Sequence, residues 1–107
     1  AEYQQWTQIW KAANHTAALV RDPRDLAGPV AVLQSLRRAI GQADWPACLT
    51  PARGELLQGM DATINGYLDA LAGDDPAAHF REAANYTRRA DAAFTAWRRW
   101  SQPGSRP

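Results

Sequence analysis

The chain of 107 residues carries 12 basic and 11 acidic side chains, with hydrophobic residues at 46% and charged residues at 21%. That is enough chain for one modest core and too little for two domains, and the near-neutral balance disfavours a protein built to neutralise nucleic-acid phosphates. Nor is the composition that of a disordered tail or a membrane span, since no apolar run approaches the roughly 20 residues a bilayer requires.

From Glu2 to about Arg21 the residues Tyr3, Trp6, Ile9, Trp10, Ala13, Ala17 and Val20 recur at steps of three and four. This spacing predicts a first amphipathic helix, ended by Asp22-Pro23 because proline breaks the ladder and restricts the residue before it. His15 falls on the face opposite the tryptophans. A shorter second helix is predicted from Leu26 or Pro29 to Ile40, with Leu26, Val30, Leu33, Leu36 and Ile40 inward and Gly41 as its stop. The stretch from Gln42 to Leu49 has no helical period, yet it holds Trp45, Pro46, Cys48 and Leu49, so it is expected to pack across one end of a bundle.

Thr50 to Ala72 is the best specified helix. Thr50 is placed to cap its start, Pro51 suits the first helical position, and Gly73 can adopt the positive φ that closes it. Large residues, Leu56, Leu57, Met60, Ile64, Tyr67, Leu68 and Leu71, gather on one side. Small residues, Gly59, Ala62, Gly66 and Ala70, form a second stripe. An interior glycine costs about 1 kcal/mol relative to alanine, so the stripe calls for something to compensate it, and the close approach of another backbone is one candidate. What lies against the stripe is a neighbouring helix of the same chain or solvent, or else a partner subunit or ligand. After the break at Gly73-Asp74-Asp75-Pro76, a last helix is predicted to run antiparallel to about Trp100. Phe80, Ala83, Tyr86, Thr87, Ala90, Ala93, Phe94 and Trp97 face inward along it, while Arg81, Asn85, Arg88, Ala92 and Arg99 face out. The fold expected is therefore an all-α antiparallel bundle of three long helices and one short one, a single domain over residues 1–100 with a flexible tail at 101–107.

Little in the chain announces chemistry. Cys48 is the single cysteine, which rules out an internal disulfide and the paired-cysteine spacings of zinc sites; it reads as a small buried residue or a link to another chain. His15 and His79 stand on different helices with no ligand-spaced neighbour, and a haem between His79 and Met60 is the weaker reading of two packed side chains. Neither a metal nor a cofactor is expected. A nucleophile beside an oriented base is also missing, and Asp61 and Asp69 along one face read as solvated, so no enzyme is expected. Trp6, Trp10, Trp97 and Trp100 lie near the two chain ends and would form an aromatic cluster if the first and last helices are neighbours. Trp97-Arg98-Arg99-Trp100 leaves membrane contact open.

The function expected is a non-catalytic helical interaction module, meeting a protein partner or a second copy through the Gly59/Gly66 stripe or the tryptophan surface. The alternative is a small-molecule carrier with an aromatic pocket between helices, near Trp10 and Trp97. Ala1-Glu2 reads as the start of a mature exported bacterial chain, which would place the protein at or beyond the cell envelope.

Overall fold

The computed structural model describes residues 2–101, with side chains for residues 4–99. Four helices follow one another: α1 (Glu2–Ala18), α2 (Ala27–Gln42), α3 (Thr50–Leu71) and α4 (Ala77–Ser101), with short 3-10 turns at Pro23–Leu26 and Ala47–Leu49. Among the described residues there is no strand, and the chain is an all-α bundle. None of these helices is long and apolar enough to cross a membrane. Helix α2, with 16 residues, is nearly as long as the 17-residue α1, so the expected contrast between one short helix and three long ones gives way to a shorter pair and a longer pair. Residues 102–107, most of the expected tail, lie outside the described residues.

The helix ends show which signals act. Helix α1 stops at Ala18, before the expected Arg21, as the amides of Leu19 and Val20 turn back to the carbonyls of Thr16 and Ala17 at 3.3 and 3.2 Å, a 3-10 tightening of the last turn. Asp22 then accepts the Arg24 amide at 3.0 Å, opening the turn that Pro23 begins. Arg24 also grips the Asp22 carboxylate with its guanidinium, and these bonds hold that carboxyl below its ordinary range.

Gly41 does not stop α2, which runs on to Gln42. Side chains finish the helix instead: Trp45 Nε1 donates to the Ile40 carbonyl at 2.9 Å, and Arg53 of α3 donates to that of Gly41. Thr50 does not cap α3 either. It is already helical, its amide bonded to the Ala47 carbonyl, because the 3-10 turn feeds straight into the helix. The C-terminus of α3 follows expectation: Gly73 takes φ +81°, its amide reaches the Ala70 carbonyl at 3.1 Å, and the Asp74 amide reaches Asp69 at 2.8 Å. This is a complete Schellman closure. Asp75 accepts the Ala77 amide at 3.0 Å and starts α4 in the opposite direction.

Helix α3 is the centre of the bundle. Its Met60 is fully buried with Leu33 and Ile40 of α2 and with Leu49, and the connection between α2 and α3 packs across one bundle end as expected, with Trp45 against Phe94 at 6.2 Å between ring centroids. Several expected inward residues are exposed: Ile9 at 47%, Leu68 at 39%, and Thr87 on α4. They sit at the margins of their stripes. Arg37 reaches Asp61 at 2.9 Å and ties α2 to α3, a partly exposed pair contributing under about 1 kcal/mol.

Candidate functional site: the seam between the first and last helices

Helix α4 packs along α3 for most of its length, and α1 packs against α2. The backbone of α1 makes few close approaches to α3 or α4, so the seam between α1 and α4 is bridged mainly by side chains. What those side chains are decides its width. Along the inward face of α1 the residues pass from Trp6 and Trp10 to Ala13 and Ala17; along α4 they pass from Ala83 through Ala90 to Phe94 and Trp97. Because the two helices run antiparallel, the alanines of one meet the alanines of the other. Trp10, only 7% exposed, holds α1 away from the α3–α4 pair at one level. At the next level Ala17 and Ala83 have too little volume to close the gap.

The result is a cleft of about 660 Å³, open on one side, walled by Ala17, Val20, Ala83 and Ala84 and floored by Tyr67 and Phe80. Tyr67 and Phe80 meet edge to face at 5.0 Å, and Phe80 lies over Gly66, where an added Cβ would come within 2.5 Å of its ring. The polar atoms of the floor are satisfied. Tyr67 donates its hydroxyl to Asn14 Oδ1 at 2.8 Å, and Thr63 donates to the Gly59 carbonyl at 2.8 Å. Burial raises the pKa of the Tyr67 hydroxyl above its ordinary value. None of the residues lining this cleft is charged.

Two smaller hollows continue the seam. One of about 80 Å³ lies beside Trp10 and shares Asn14, Thr63 and Thr87 with the cleft; a third of about 350 Å³ shares Thr7, Lys11 and Asp91 with the second and extends to Gln4 and Arg98. The seam is thus apolar at one end and charged at the other.

The residues singled out from the sequence fall in different places. Gly59, Ala62 and Gly66 are buried; Gly59 lies beneath Tyr86 and the backbone amide of Thr87, and Gly66 beneath the Phe80 ring, so a helix of the same chain, α4, covers both glycines. Ala70 is half-buried and lines the cleft. Trp10 is core, Trp6 and Trp97 are half-buried against it, and Trp97 Nε1 donates to Cys48 Sγ at 3.0 Å. The side chain of Trp100 lies outside the described residues. Cys48 is exposed where burial was one expectation, because the 3-10 turn turns it outward while Leu49 points in. His15 is exposed, as its face predicted. His79 pairs with Asp69, whereas Met60 is sealed in the core more than two turns away along α3, so the two share no site. No group of three or more metal-ligating side chains occurs among the described residues.

The residues that shape the cleft, Asn14, Ala17, Tyr67, Phe80 and Ala83, were not singled out as a site. Their one signal was the coincidence of alanines on the inward faces of two antiparallel helices. Compared with protein-family models, curated proteins and solved structures, the chain matches none.

Proposed function

We propose that the protein is a non-catalytic binding module that holds a small, largely apolar ligand in the cleft between α1, α3 and α4. The supporting observation is the cleft: at about 660 Å³ it falls within the roughly 300–1,000 Å³ of small-molecule sites, and it combines apolar walls with a few placed polar groups. The aromatic part of the pocket is Tyr67 and Phe80, at the opposite end of the seam from the tryptophans. Cys48 and His79 bond to different partners, Trp97 and Asp69, which gives a nucleophilic mechanism no support.

The test uses the neutral fluorophore N-phenylnaphthylamine, which brightens in apolar surroundings. Saturable binding to the wild type is expected, and Ala84→Trp, placed on the exposed rim to fill the opening, should weaken it about tenfold without lowering the melting temperature. Equal affinity in the two proteins would discard the cleft as the site.

A second reading keeps the interaction module but moves its surface from the Gly59/Gly66 stripe to the outer face of α2. There Val32 is 52% exposed and joins Ala31, Leu36 and Ala39 around an apolar hollow, a surface suited to the same face of a second copy. Native mass spectrometry checks it: Val32→Asp should abolish a dimer, and a wild-type monomer would end this reading.

A further inference from the structure

Resting on the reading of the cleft as a ligand site, we propose that the seam takes a single-chain anionic amphiphile, its alkyl chain in the cleft over Tyr67 and its headgroup at the far hollow between Lys11 and Arg98. Three observations define this occupant. First, the large cleft has no charged lining residue, so the part of the ligand held there is uncharged and apolar. Second, the hollows lie in file, each sharing lining residues with the next, and the middle one beside Trp10 holds only about 80 Å³, which favours a linear chain over a ring system at that level.

Third, the far hollow is built for charge. Lys11, Arg98 and Asp91 face it together with the neutral groups of Gln4, Thr7 and Thr95. Among the described residues none of the three charged groups belongs to an ion pair; Arg98 donates only to Thr95 Oγ1, at 3.3 Å. Two cations against one carboxylate leave the hollow net positive. A carboxylate or sulfate arriving there gains two cationic donors and meets one repelling neighbour, whereas a quaternary ammonium meets the reverse. Length agrees as well. From Lys11 to Val20 the seam follows nine residues of α1, about 13 Å at 1.5 Å per residue, the reach of a medium alkyl chain.

Displacement of N-phenylnaphthylamine by dodecanoate, dodecanol, dodecylphosphocholine and dodecyltrimethylammonium tests this at low salt, each kept below its micelle-forming concentration. Dodecanoate should displace the probe at a concentration about tenfold lower than the ammonium does. The paired substitution Lys11→Gln with Arg98→Gln, both on exposed side chains, should remove that preference while the affinity for the neutral probe stays at the wild-type value. Equal displacement by the anionic and cationic chains, a preference for the phosphocholine, or a preference that survives the double substitution would each overturn the headgroup assignment and leave the apolar cleft standing. Should the probe fail to bind the wild type, calorimetric titration with dodecanoate makes the same comparison, and absence of heat would remove both the cleft reading and its ligand.

Discussion

Two successive levels of the α1–α4 seam are made from the same helices in the same antiparallel arrangement, yet one is nearly closed and the other gapes. At the nearly closed level Trp10 supplies a side chain large enough to span most of the gap between helices whose backbones make few close approaches. At the open level Ala17 and Ala83 are equally inward and equally well buried, but each offers only a methyl group. Burial alone therefore does not distinguish a filled interior from a lined hollow. Volume does, because interiors reach crystal-like density only where opposing side chains meet.

Breaking the nearly closed level should have the largest effect. Trp10→Ala removes an indole that is 7% exposed and should cost about 3–5 kcal/mol in denaturant unfolding; a loss below about 1 kcal/mol would mean that the tryptophan is not what holds the seam. The contact that floors the open level is next. Gly66→Ala drives a Cβ against Phe80 and should cost about 1–3 kcal/mol. By contrast Gly59→Ala sets a Cβ 3.2 Å from Tyr86 Cβ, a tight contact that α4 must relieve by a small shift, and recovers about 1 kcal/mol of helix propensity, so the two offset and its net effect should be close to zero. Identical melting curves for the two alanine variants would refute the distinction.

The smallest effect belongs to Tyr67. Burial raises its pKa in the folded state, so above a pH of about 10 the unfolded chain loses this proton first. Its contribution is full below the ordinary tyrosine value and is lost as pH rises through the folded one. Wild type should therefore lose slightly more stability than Tyr67→Phe between neutral and strongly alkaline pH, and parallel pH profiles would contradict the assignment.

Much of the bundle could be read from residue order. Pro51, Gly73 and the Asp75-Pro76 restart locate α3 and α4 because each signal is local: a missing donor, a positive φ, a carboxylate near a free amide. The errors came where a distant group intervened. Gly41 looked like a stop, but Trp45 and Arg53 supply the bonds that finish α2 one residue later. Thr50 looked like a cap, but the preceding 3-10 turn had already satisfied its role. The cleft was less legible still. In a periodic pattern Ala17 and Ala83 count as inward residues exactly as a leucine would, and their shortfall in size becomes a hollow only once it is known which helix faces them and at what distance.

The unequal tethering of the helices also bears on how the molecule opens. Helices α3 and α4 are joined by five residues and packed along their length, while α1 is anchored chiefly to α2. Contacts that are close in sequence form early and at little loop-closure cost, which makes the α3–α4 hairpin the natural folding nucleus and α1 the last arrival. The reverse order holds for opening: α1 can release from the seam while the hairpin stays intact, at a free energy well below that of global unfolding. Its amides would then exchange with solvent ahead of those of α3, and the same excursion would give a long-chain ligand a side door into the seam that an end-on approach past Trp10 does not offer.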